Sequence, residues 1–195
     1  MNYLWDLDGT LLDSYPVILK SLKTVLKAQN LPISETLGEE ILRSSVRAYL
    51  GTDELFSLYY AENERHQRDV RAMPGALETL RALSERGDRH FVYTHRGESA
   101  FAVLEQNGLL RYFTEVLTAE SGFPRKPDPA ALLYLMEKHG FSPDEAFYVG
   151  DRALDIEAAR NAGIPAILYL PEGSPVRAGI GEARVVRDLR EIAGL

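Results

Sequence analysis

The sequence predicts an α/β fold, a parallel sheet between two layers of helices, carrying an all-helical insert. Three observations predict it. Short apolar runs of strand size recur along the chain, helical patterns lie between them, and one long stretch near the start shows helices alone. The strand candidates are Tyr3–Leu7, His90–Thr94, Glu115–Ala119, Ala146–Gly150 and Ala166–Leu170. They are rich in Val, Tyr, Phe and Leu with little polar alternation, the pattern of strands buried on both faces of a parallel sheet.

Between them lie helix candidates at Gly75–Arg86, Gly97–Asn107, Pro129–His139 and Ala153–Ala162. Leu77, Leu80 and Leu83 recur at helical spacing, as do Ala158, Ala159 and Ala162. Asp128 before Pro129 suits an N-cap with proline at the first helical position. Gly87, Gly108, Gly140 and Gly163 stand where helices should stop. Strand–helix–strand alternation with right-handed crossovers gives an open sheet with helices on both faces.

From Ser14 to Arg71 no convincing strand occurs. Ile18, Leu22, Val25 and Leu26 form one helical stripe, and Glu35–Leu50 and Asp53–Arg68 read as two further helices. The expected division is a sheet domain of residues 1–13 and 74–195 with a helical insert of residues 14–73. Pro74-Gly75 marks the return.

A chain of 195 residues suits one domain with a modest insert and buries about 70% of its unfolded surface. The absence of cysteine excludes disulfides, zinc–thiolate sites and cysteine nucleophiles. No apolar run approaches the roughly 20 residues of a membrane helix, and no signal peptide is visible, so a cytoplasmic location is expected. The net charge of −7 argues against a nucleic-acid surface. There is no Walker A loop, no H-E-x-x-H and no G-x-S-x-G, and "GIGEAR" at 179–184 reads as a turn.

Ligands of such sheets bind beyond the carboxyl ends of the strands. The first strand candidate carries Asp6 and then Asp8, followed by Gly9. The second ends in Thr94, the third leads to Arg125-Lys126-Pro127, and the fourth leads to Asp151 and Asp155 in "GDRALD". Residues i and i+2 of an extended chain face the same way, so Asp6 and Asp8 can address one substrate. Magnesium prefers hard oxygen ligands and commonly takes one or two carboxylates plus phosphate and water. Asp6 and Asp151 suit that task. Thr94 can hydrogen-bond a phosphoryl oxygen, and Lys126 can take up charge in the transition state. Gly9 allows backbone amides to approach an anion. The mix is that of a magnesium-assisted phosphoryl site.

Four motifs in order, "DLDGT", "FVYTH", "RKPDP" and "VGDRALD", make the sequence resemble the haloacid dehalogenase superfamily. The helical insert after the first motif resembles the C1 cap of its phosphoglycolate-phosphatase-like branch. The resemblance implies a Rossmann-like core and a phosphatase. It also implies Asp6 as the nucleophile that forms an aspartyl-phosphate and Asp8 as general acid, then base. The metal set expected on this basis is Asp6, Asp8 and Asp151 around Mg2+, with Gly9 and Asp155 in support. Thr94, His95, Lys126 and Arg152 are the expected phosphate or substrate contacts. His95 replaces the asparagine or small residue common after the motif-two hydroxyl, and Arg152 replaces a common serine or threonine. Arg96 and Arg125 read as solvated rim residues. The expected partner is a small phosphate ester, with no nucleic acid, membrane or obligate protein partner. Two rival readings are a sugar-phosphate mutase resembling β-phosphoglucomutase and a non-catalytic binding or regulatory protein. Thr10, where such mutases often carry valine, leans toward a phosphatase.

Overall fold

The structure is a computed structural model describing residues 1–172, 174 and 183–194. Most of the "GIGEAR" segment lies outside the described residues. The chain forms two compact units, one of Met1–Leu12 with Ala72–Leu195 and one of Asp13–Arg71. The strands are β1 (Asn2–Trp5), β2 (Leu12–Asp13), β3 (Arg71–Ala72), β4 (Arg89–Tyr93), β5 (Phe113–Leu117), β6 (Ala146–Gly150), β7 (Ala166–Tyr169) and β8 (Arg184–Val186). The helices are α1 (Tyr15–Ala28), α2 (Leu37–Arg43), α3 (Val46–Leu50), α4 (Asp53–Arg65), α5 (Ala76–Glu85), α6 (Ser99–Gln106), α7 (Ala130–His139) and α8 (Ala153–Asn161). No helix among the described residues is long and apolar enough to cross a membrane.

Six strands form one parallel sheet in the order β5-β4-β1-β6-β7-β8. The chain builds outward from β1 through β4 to β5, then returns to the other side of β1 with β6. The connections after β1 and β6 therefore leave in opposite directions. A crevice at such a switch point is where open α/β sheets bind ligands.

β1 is buried along its whole length, and its side chains alternate between the two faces. Tyr3 and Trp5 share one face with His90 and Phe147 as a set of ring contacts. Leu4 joins Phe91, Tyr93 and Tyr148 on the other, against Leu132 and Leu135 of α7 and Ala158 and Ala159 of α8. The small alanines let α8 lie close to the sheet. In the helical unit, Leu22, Val25 and Leu26 of α1 pack with Ile41, Leu50 and Tyr59.

The segment expected as one helix over Glu35–Leu50 is two. Ser45 adopts an extended backbone, and its side chain accepts the Ala48 N–H at 3.1 Å, restarting the helix as α3. The Asp53–Arg68 segment stops at Arg65, and a short 3₁₀ turn, Gln67–Asp69, follows. The N-cap position of α7 falls on Pro129, one residue later than expected, and Asp128, just before it, accepts the Ala130 N–H at 2.9 Å. Three-residue β8 has too short an apolar run to announce itself.

His90 gives a pH prediction. Trp5 Nε1 donates to His90 Nδ1 at 3.1 Å, which places the imidazole proton on Nε2. Burial pushes the His90 pKa down to about 4, below the value near 6.5 of an unfolded chain. As pH falls through 6.5 the unfolded state takes up this proton first. Stability is therefore lost between about pH 6.5 and 4 and is retained above that window. His90→Gln keeps an acceptor for Trp5 and removes the titration. Urea unfolding between those limits should show the stability slope reduced by about 1.4 kcal/mol per pH unit. An unchanged slope would mean that His90 is not held neutral.

Candidate active site

Asp6 follows β1 directly, and its N–H still donates to Val149 O at 2.8 Å, so the sheet ladder delivers it beside β6. The chain then reverses. Leu7 O accepts from Thr10, Leu11 and Leu12, while the Gly9 N–H donates to Leu12 O at 2.8 Å. Gly9 has φ 89°, the left-handed region that favours glycine. The amides of Gly9 to Leu12 thus donate inside the turn. Gly9 serves the chain reversal, and its own amide is taken by Leu12 O.

Past β6 come Asp151 and the first turn of α8 with Asp155. A Cβ on Gly150 would stand 2.4 Å from Asp155 Cβ and 2.7 Å from Asp155 Oδ2, so glycine is what admits this carboxylate. The Arg152 N–H donates to Asp155 Oδ2 at 3.1 Å, and Tyr148 OH stands 3.4 Å from Asp155 Oδ1. Thr10 Oγ1 donates to Asp151 Oδ1 at 3.0 Å. Asp6, Asp151 and Asp155 are all buried, and each offers an oxygen within 4.8 Å of the others.

Lys126 arrives from the segment between β5 and α7. Its ammonium pairs with Asp6 and, at 2.8 Å, with Asp155. It lies 5.1 Å and 5.3 Å from the Tyr93 and Tyr148 ring centroids, within cation–π range. Burial works against this ammonium, but Asp155 and Asp6, with a lesser part from Tyr148, outweigh it and raise its pKa well above that of a free lysine. Burial pushes the Asp6 carboxyl up, opposed by Lys126 and reinforced by Asp155 and Asp8. One ammonium stands among three close carboxylates. That donor set, hard and negative in excess, fits a hard divalent cation.

The backbone around Lys126 is held from two sides. Its N–H donates to His95 Nε2 at 2.9 Å, and Asn161 Nδ2 donates to Pro127 O at 2.9 Å. Burial, followed by the nearby Lys126, Arg125 and Arg152 charges, drives the His95 pKa down to about 3. His95 is a neutral ring whose Nε2 accepts from the backbone. It acts as a strut for Lys126, a role that the sequence reading did not assign to it.

Thr94 is buried at the end of β4, and its Oγ1 accepts the Arg96 N–H at 3.0 Å. Arg96 is not on a solvated rim. Its side chain is 6% exposed and grips Asp8, with Nε 3.2 Å from both carboxylate oxygens and Nη2 bonded to Oδ1. Asp8, expected among the metal ligands, is absent from the carboxylate cluster because its carboxylate is turned to this guanidinium. Arg152 is the N-cap residue of α8 and is partly buried. The structure thus brings together Asp6, Lys126, Asp151 and Asp155. It adds Tyr93, Arg96, Tyr148, Gly150 and Asn161, which sequence reasoning missed as site residues.

The family model of haloacid dehalogenase-like hydrolases matches residues 3–169. The chain is 30% identical over 220 residues to a phosphoglycolate phosphatase of Pseudomonas savastanoi pv. phaseolicola, covering 97% of this chain and 77% of that protein. It is 34% identical over 189 residues to a phosphoglycolate phosphatase of Vibrio vulnificus, covering 82% and 78%. Among solved structures, a HAD-superfamily hydrolase, subfamily IA, variant 1, from Geobacter sulfurreducens aligns with a TM-score of 0.76 at 27% identity, covering 99% of this chain and 94% of that one. With most of its length matched in sequence and fold, the chain belongs to the haloacid dehalogenase-like hydrolase family.

Proposed function

We propose that the protein is a magnesium-dependent phosphomonoester hydrolase acting on a small phosphorylated metabolite through an aspartyl-phosphate on Asp6. The observation that carries the reading is the convergence of Asp6, Asp151 and Asp155 with Lys126 at the β1–β6 switch point. Asp6 and Asp151 would hold the ion, with Asp155 behind them fixing Lys126. When bound, magnesium supplies charge neutralisation that lets a carboxylate approach a phosphate.

Asp6 attacks phosphorus, and the ester P–O bond breaks. Asp8 gives its proton to the leaving alkoxide, then takes a proton from the water that attacks the aspartyl-phosphate. Inorganic phosphate and the Asp6 carboxylate are released, and Asp8 ends as it began. Thr94 donates to a phosphoryl oxygen, and Lys126 offsets charge in both displacements. Residues 14–73 are assigned the part of a cap that excludes water during attack. The named relatives favour phosphoglycolate as the first ester to test.

The test is phosphate release from a panel of phosphorylated metabolites, phosphoglycolate included, with magnesium and with a chelator. Release with magnesium alone is the expected result. Release from none of them, or equal rates with the chelator, would overturn the reading. Isomerisation of a sugar phosphate without phosphate release would favour a mutase.

A further inference from the structure

The Arg96–Asp8 pair has no part in the steps above. Arg96 lies in the turn after β4 and Asp8 in the turn after β1, 88 residues apart in sequence. The backbone of Arg96 is fixed at both ends. Its N–H donates to Thr94 Oγ1 at 3.0 Å, and its C=O accepts the Ala119 N–H at 3.0 Å. The guanidinium therefore starts from a defined point and reaches Asp8 with two nitrogens.

An aspartate at a turn has several staggered rotamers available. A planar fork that takes the carboxylate at two points selects one rotamer and one plane, which a point-charge lysine does not do. Asp8 is partly exposed, with its side chain at 26%, whereas the Arg96 side chain is at 6%. The arginine is the buried, fixed member and the aspartate is the member being held.

We propose that Arg96 is a positioning residue for the reaction, holding the ionised Asp8 carboxylate in the orientation from which it takes a proton from the attacking water. The inference rests on the acid–base role proposed for Asp8. A positioned acid–base group contributes about 10²- to 10⁴-fold. Loosening it through Arg96→Ala should therefore lower kcat about tenfold or more, with KM within about twofold of wild type.

The experiment is a double-mutant cycle on the full chain: wild type, Arg96→Ala, Asp8→Asn and the double variant. An activated aryl phosphate, whose leaving group needs no proton, keeps turnover measurable in the Asp8→Asn background. Arg96→Ala is expected to lower kcat in the presence of Asp8 and to change it by less than about twofold in the Asp8→Asn background. An equal loss in both backgrounds, or a raised KM at unchanged kcat, would overturn the assignment and make Arg96 a structural or substrate-binding residue. An Asp8→Asn protein with wild-type turnover would instead overturn the acid–base role itself. If Arg96→Ala does not fold, the same cycle is run with Arg96→Gln, which retains side-chain donors but lacks the rigid fork, and the same outcomes decide.

Discussion

Asp6→Asn should lower turnover of any phosphate monoester by about 10⁴-fold or more while leaving the protein folded. An amide cannot serve as the nucleophile in the covalent step, and loss of a nucleophile is among the largest single effects on kcat. The fold should be spared for a local reason. Asparagine matches aspartate in size, and its neutral side chain relieves a site where burial first, and then Asp155 and Asp8, push the carboxyl pKa up against the pull of Lys126. Lys126 loses one ion-pair partner and keeps the other, Asp155 at 2.8 Å. Urea unfolding of Asp6→Asn should stay within about 1 kcal/mol of wild type. Substantial turnover by the pure variant would remove Asp6 from its assigned role.

Lys126→Met should be the converse case, losing both stability and activity. The lysine side chain is 1% exposed and stands between Asp6 and Asp155, both buried. Methionine fills much of the volume but leaves the carboxylates facing each other without the ammonium. Removing one partner of a buried ion pair typically costs about 3–5 kcal/mol, because the remaining charge stays desolvated. Activity should fall as well, since the charge that balances both displacements is gone. Denaturant unfolding and phosphate release on one preparation test both effects. A Lys126→Met protein with wild-type stability would show that the carboxylates carry less buried charge than the geometry indicates.

The legible part of this protein was the part written in short runs. Asp6, Thr94 and Asp151 each follow an apolar segment directly and Lys126 follows the third after a loop, so the rule of ligands at the carboxyl ends of strands was enough to gather them. The unread part depended on pairs distant in sequence. Nothing local to Arg96 says that its guanidinium meets Asp8 across 88 positions, so it read as a solvated arginine. Tyr93 and Tyr148 sit within apolar strands and read as core, which they also are, yet both rings flank the Lys126 ammonium. Gly150 looked like the end of a strand, while its spatial reason is Asp155. An imidazole beside a phosphate motif reads as a phosphate contact, and nothing local to His95 says that its Nε2 also accepts from the Lys126 backbone. In the helical unit, Ser44-Ser45 carries no strong breaker, so the division into α2 and α3 rests on a cap visible only in three dimensions.

The central claim is a phosphoryl group carried on Asp6, and the most direct measurement is to catch it. Asp8→Asn should slow release of the phosphoryl group more than its arrival when the leaving group needs no proton. The variant would be mixed with magnesium and an activated aryl phosphate, quenched quickly in acid, digested and read by mass spectrometry. The account predicts one added phosphoryl group on the peptide containing Asp6, absent when Asp6→Asn is combined with Asp8→Asn. Release of the aryl alcohol by the Asp8→Asn protein with no adduct, or with the adduct on another residue, would contradict it.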